Sequence, residues 1–185
     1  MSERLLAEDL GYGKSPVRQA VQRLQTDGFV DVAPQQGIVV TTLSLAEIID
    51  YFEMRAALER YVVYRLAGEL SAPQVAELRA FLEVQKRQLD ASPSPEKNLA
   101  LLNVGFHKML CDFLGNKQII RVIEHQHDML YRVVKGIYKR RPERERQSLS
   151  EHTQIAEAII GGRAESAAEL IEAHTEVGKK LLVGG

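Results

Sequence analysis

Sulfur chemistry is almost absent from this chain of 185 residues, since Cys111 is its only cysteine. An internal disulfide is excluded, and a lone buried thiol suits a reducing compartment, so the cytoplasm is the expected location. No apolar run approaches the length that spans a bilayer, and the opening residues do not read as a signal peptide, so no membrane partner is expected. Charge of one sign is lacking too. The 24 basic and 25 acidic side chains leave a formal net charge of −1, which argues against a non-specific polycation. There is no internal repeat, no low-complexity tract, and no HExxH or CxxC motif, so an independent zinc-enzyme reading has no support. What remains is ordinary for a globular protein, 45% hydrophobic and 26% charged, and long enough for one large domain or two small ones.

The first 41 residues read as helix, turn, helix and hairpin. Leu5, Leu6 and Leu10 with Ala7 make residues 3–10 a short amphipathic helix, and Gly11-Tyr12-Gly13 a turn. Ser15-Pro16 reads as N-cap and first helical position. Val17, Ala20, Val21 and Leu24 then share one face, and Gly28 ends the helix. Residues 29–32 and 38–41 are strand-like, separated by Ala33-Pro34-Gln35-Gln36-Gly37. That order is the order of a winged helix-turn-helix. The outward helix face carries Arg18, Gln19, Gln22 and Arg23, with Lys14 at its start. Arginine reads guanine bidentately, glutamine can do so for adenine, and a lysine near a helix N-terminus suits a phosphate. Against this, residues 1–41 hold four basic side chains and five acidic ones, so the broad basic footprint of a strong DNA binder is missing.

From residue 44 the fold class is all-α. Ser44-Leu45-Ala46-Glu47 has capping-box spacing and opens a helix to about Gly68. Further helices are expected over about 71–89, 96–114, 117–139, 143–160 and 163–182, with Ala91-Ser92-Pro93-Ser94-Pro95 as the most loop-like tract. Six helices with short connections form an antiparallel bundle. Asn103 and His107 lie four apart and share a face. His152 and His174 lie on two successive helices broken at Gly161-Gly162. Three imidazoles and one amide oxygen from three helices can converge, which is how bundles build metal sites.

The segment GKSPVRQAVQRLQTDGFVDVAPQQGIVV resembles the winged-helix segment of the GntR family of bacterial transcription regulators. The resemblance implies that Arg4, Lys14, Ser15, Arg18 and Arg23 face DNA, and that Gly37 sits at a wing tip near the minor groove. Gly13 stands where the family often has serine or threonine. It also implies a further helix upstream of residue 1, so the DNA-binding domain is expected over 1–41 without its first helix, and to bind DNA worse than a version extended upstream.

Residues 44–182 resemble the FCD ligand-sensing domain of the FadR-like GntR branch, through EMRAALE (53–59), NVGFHKML (103–110) and SEHTQIAEAIIGGRAESAAELIEAH (150–174). Six helices rather than seven match its VanR-like subset. The family's metal motif is an aspartate, a histidine four later, then two histidines 22 apart. His107, His152 and His174 match, and Asn103 replaces the aspartate. The implied cofactor is a divalent transition metal, zinc first, with nickel, iron or manganese as alternatives. An amide is a poorer ligand than a carboxylate, so the ion is expected to be weakly held and to rely on an anionic effector. Arg163 stands where the family has aspartate, a surface change.

Arg55 and Glu59, four apart, read most simply as an intrahelical pair. The resemblance adds a role for Arg55 in holding a ligand carboxylate. Arg132 is a candidate anion contact. His125 and His127 read as surface or interhelical polar groups, and Lys139-Arg140-Arg141 as a solvated helix end. The expected protein is a regulator, a repressor by the commoner family logic, that binds palindromic double-stranded operator DNA as a homodimer. Its effector would be a small organic acid, best a chelating hydroxy- or keto-acid. Two alternatives stay open: a metal-dependent hydrolase or isomerase acting on organic acids, with Glu151 or Glu172 as base, and a sensor or dimerisation module that no longer binds DNA.

Overall fold

The computed structural model describes residues 1–33, 36–41, 44–91 and 98–183. Pro34 and Gln35 of the hairpin loop, Thr42-Leu43 of the connection and most of the loop-like tract after Ala91 lie outside the described residues. The chain divides into two compact units, Met1–Ser44 and Leu45–Gly185.

In the first unit α1 (Glu3–Leu10) and α2 (Lys14–Thr26) precede β1 (Val30–Ala33) and β2 (Gly37–Val40). The strands pair antiparallel, Val30 opposite Val40 and Ala33 opposite Gly37. Ser2 caps α1, its hydroxyl accepting from the Leu5 N–H. The expected cap of α2 is corrected. Gly13 is the N-cap and Ser15 lies inside the first turn. Proline is tolerated anywhere in that turn, because its N–H would have no helical partner, so Pro16 does not fix the start. The core is thin, being Ala7, Val17, Val21 and Val30, with Leu6, Phe29 and Ile38 half-buried. Ala20 and Leu24, expected on the buried face, are exposed. Gly37 has φ +76°, and a side chain there would collide with the Met1 carbonyl. Met1 in turn pairs with Ile38, its N–H donating to the Ile38 carbonyl (3.1 Å) and its carbonyl accepting from the Ile38 N–H (2.6 Å).

The second unit is six helices: α3 (Leu45–Leu66), α4 (Ala72–Asp90), α5 (Leu99–Leu114), α6 (Lys117–Arg140), α7 (Glu143–Ile160) and α8 (Ala164–Val183). Their caps are local. Gln74 accepts the Ser71 N–H (2.9 Å) at α4, and the Asn98 side chain accepts the Leu101 N–H (3.1 Å) at α5. α3 packs along α8, α5 along α6, and α7 against both α8 and α4. One core cluster surrounds Phe106, Leu110, Ile155, Ile159 and Ile171, and a second surrounds Phe52, Val104, Leu130, Val134 and Ile137. Met54 and Ala57 are exposed, while Arg55 and Glu59 turn inward beside Phe52 and Val62. Among the described residues no helix is long and apolar enough to cross a membrane.

Candidate functional site

α5 carries Asn103 and His107 one turn apart on its buried face, α7 brings His152, and α8 brings His174. α7 and α8 run antiparallel around the Gly161-Gly162 turn. His152 is eight residues before the end of α7 and His174 ten after the start of α8, so at 1.5 Å per residue the two stand nearly level. All three imidazoles are buried, and Phe106 stacks on His152 with ring centroids 4.1 Å apart. His107 Nε2 lies 3.1 Å from His174 Nε2, and His152 Nε2 lies 3.4 Å from the same atom.

The far nitrogen of each ring has its own acceptor. His107 Nδ1 meets Glu59 Oε2 (2.7 Å), His152 Nδ1 meets Gln85 Oε1 (3.3 Å) and His174 Nδ1 meets Glu151 Oε2 (2.5 Å). These partners assign the proton of each neutral ring to Nδ1, leaving three Nε2 lone pairs aimed at one another. Burial is the largest cause pushing all three imidazoles below their usual range, helped for His107 by Arg55 and for His152 by His174. Neutral rings are the ligand form. Three converging lone pairs repel unless a cation lies between them. Bonds of about 2.0–2.1 Å in tetrahedral geometry put ligand nitrogens about 3.3 Å apart, so the separations fit a shared divalent ion. The three candidate ligand atoms all lie within 4.8 Å of one another. Asn103 turns its Nδ2 toward His152 Nε2 (3.4 Å), so in this orientation it is a donor. A half-turn of the amide would present Oδ1 instead.

The outer partners are held in turn. Arg55 Nε donates to Glu59 Oε1 (2.6 Å), both residues being about 2% exposed. Burial raises the Glu59 carboxyl pKa, and Arg55 opposes it. Arg144 makes a two-point pair with Glu151 (2.6 and 2.5 Å). Burial works to raise the Glu151 pKa, but the hydrogen bonds from His174 and Arg144 win and hold it at about 2. Beside His174 and Asn103 lies a cavity of about 20 Å³ that Arg55, Tyr138, Arg144 and Ser148 also line. Burial raises the Tyr138 phenol pKa, and neighbouring Ser148 opposes the shift. Arg55 Nη2 is buried with no hydrogen-bond partner among the described residues.

Arg132 is exposed and does not line this cavity. The buried stripe of α6 runs through Ile123, Leu130, Val134 and Ile137, and position 132 lies off it. The second guanidinium at the cavity is Arg144, which sequence reasoning missed, as it missed Glu59 and Gln85 as imidazole partners. A signal existed for Arg144, seven residues before Glu151 and so on the same helix face; none existed for Gln85. His125 is exposed and His127 half-buried against Asp128. Arg163 is exposed, donating to the Glu157 carbonyl.

In the first unit Arg4, Lys14, Ser15, Arg18, Gln19, Gln22 and Arg23 are all exposed, and Gly37 opens β2 half-buried. Three of the four cations already have carboxylate partners: Arg4 with Glu8 (2.7 Å), Arg18 with Glu3 (3.0 Å) and Arg23 with Asp27 (4.0 Å). Exposed pairs of this kind are worth about 0–1 kcal/mol, so a phosphate can displace them at little cost.

Residues 1–40 match the bacterial regulatory proteins of the gntR family, and residues 50–177 match the FCD domain. An uncharacterized HTH-type transcriptional regulator of Bacillus subtilis, YdhC, is 26% identical over 94% of this chain and 77% of its own length. The HTH-type transcriptional repressor GlaR of Escherichia coli is 26% identical over 92% of this chain and 80% of its own. The solved structure of E. coli McbR/YncC has the same fold, with a TM-score of 0.80 at 20% identity over 100% of this chain and 86% of that one. The relatives are transcription regulators, not enzymes, and with the FCD match covering most of its length this chain belongs to the GntR family of bacterial transcription regulators that carry an FCD domain.

Proposed function

We propose that the chain is a metabolite-responsive regulator in which Met1–Ser44 binds DNA and the helical unit senses a small organic acid through a divalent metal. The observation that carries this is the set of three Nε2 atoms facing one another while every Nδ1 is engaged by an acceptor. His107, His152 and His174 would hold the ion, with Asn103 as a neutral fourth group after a half-turn of its amide. Zinc suits three imidazoles, and nickel, iron or manganese are alternatives. When bound, the ion supplies Lewis acidity and open positions for a chelating anion.

The chain's own residues do the rest. Arg55 offers Nη2 to a ligand carboxylate, and the Tyr138 and Ser148 hydroxyls offer hydrogen bonds on the same cavity wall. Because Asn103 is neutral where a carboxylate would cancel charge, the site favours an anionic ligand. Lys14, Ser15, Arg18, Gln19, Gln22 and Arg23 would meet the duplex, with Arg4 on a phosphate and Gly37 at the wing. A homodimer on a palindromic operator follows from two-fold matching of half-sites, and the cytoplasm is the compartment. Repression relieved by ligand is the direction proposed, in keeping with the repressor GlaR. The ligand acts only by preferring one arrangement of the helices.

The test is a thermal-shift panel of small hydroxy-, keto- and plain carboxylates on untagged protein, with metal and after chelation. Hydroxy- or keto-acids that stabilise the metal-loaded protein, and lose that effect in Arg55→Met, support the reading. Stabilisation that is indifferent to both metal and Arg55 counts against it.

A further inference from the structure

Two cavities in the helical unit share a wall. The inner one, of about 20 Å³, reaches His174 and Asn103. The outer one is a groove of about 350 Å³ between α3 and α8, floored by Phe52, Ala56, Ala57 and Thr175. Phe52 and Thr175 line both. The Thr175 hydroxyl is tied to the Glu172 carbonyl of its own helix (2.9 Å), so the movable part of the wall is the Phe52 ring. That ring lies against the bare backbone of α8 at Gly178, where an added Cβ would be 2.7 Å from Phe52 Cε1. A rotamer change about χ1 would carry the aromatic ring off this seat.

The rim of the groove has its own chemistry. It carries Glu53, Glu172 and Glu176 against Arg60 and Lys179, one negative charge in excess. The cations are already paired, Arg60 with Glu172 (2.6 Å) and Lys179 with Glu53 (3.4 Å) and Glu176 (2.9 Å). Such a mouth favours a divalent cation over a free anion.

We propose that Phe52, seated on Gly178, is the gate through which a divalent cation passes from the α3/α8 groove to the buried histidines. The proposal rests on the metal reading above and adds the route. Phe52 also packs with Val134, Ile137 and Tyr138, so its loss costs stability as well as closure, and the test separates the two.

The intact chain loaded with zinc is mixed with excess chelator, and the rate of zinc loss is followed. Reloading of the stripped protein is timed separately. Phe52→Ala accelerates both rates by about tenfold, the effect of about 1.4 kcal/mol off a barrier, and Phe52→Leu does so by less. Affinity by competition stays within about threefold, because a gate lowers the barrier in both directions alike. Ile123→Ala, a core deletion in the other cluster, leaves both rates at the wild-type value. Wild-type rates in Phe52→Ala, or equal acceleration in Ile123→Ala, overturn the gate while leaving the metal site standing. Wild-type protein that takes up no zinc overturns the metal reading itself, and the gate with it.

Discussion

The two units solve opposite problems. Among the described residues, Met1–Ser44 buries four apolar side chains and no charged one, and its ion pairs stay in reach of water. Among its described residues, the helical unit buries twenty-five apolar side chains and eleven polar or charged ones, with Arg55–Glu59 wholly inside. Only a large core can carry so much buried polarity, since each such group loses its water and must find a partner. The small unit instead leaves its cations on the surface, paired loosely enough for a phosphate to take them. The proposed binding at the surface and sensing in the interior call for these two kinds of electrostatics.

The comparison breaks most visibly at the ion pairs. Arg55→Met leaves Glu59 buried without its cation and should lower the stability of the helical unit by about 3–5 kcal/mol in denaturant unfolding. Arg18→Met strands only a half-buried Glu3 that water still reaches and should cost less than about 1 kcal/mol. Similar losses for the two would erase the distinction drawn between the units. Chelation comes next. A ligand at a hundred times its Kd adds about 2.7 kcal/mol, so removing the metal should lower the melting transition of the helical unit by several degrees and leave that of the first unit in place. A parallel drop in both transitions would point to non-specific damage.

Two smaller effects sharpen the picture. Asn103→Asp adds a carboxylate beside His152 and should raise metal affinity roughly tenfold, about 1.4 kcal/mol, measured by chelator competition. Unchanged or weaker retention would mean that position 103 does not reach the ion. Lys14→Ala, which removes an exposed cation at the start of α2, should lower the salt slope of duplex binding by about one unit and weaken all sequences alike. A loss confined to one sequence would make Lys14 a base reader.

Much of the helical unit was legible because its signals are local. Ser71 with Gln74, Gly115-Asn116 and Gly161-Gly162 mark helix ends that depend on nearby backbone hydrogen bonds. The histidine cluster was legible through the turn at 161–162, which brings positions 22 apart level with each other. What sequence could not show was direction. Arg55 and Glu59 read as an intrahelical pair, but i, i+4 spacing does not say which way a pair faces, and the fold turns both inward and Met54 outward. Arg132 was read as an anion contact and Arg144 was not considered, but the buried stripe of α6 leaves position 132 outside while α7 buries Arg144. In the first unit, Ala20 and Leu24 have the right spacing for burial, and too little chain packs over them to cover them.

The account stands on the three imidazoles sharing an ion. Untagged protein should be dialysed against zinc, freed of excess metal and analysed for bound metal, beside His107→Ala and His174→Ala. One equivalent in the wild type and almost none in either variant is the predicted result. A metal-free wild type, or variants that retain the wild-type amount, would contradict it.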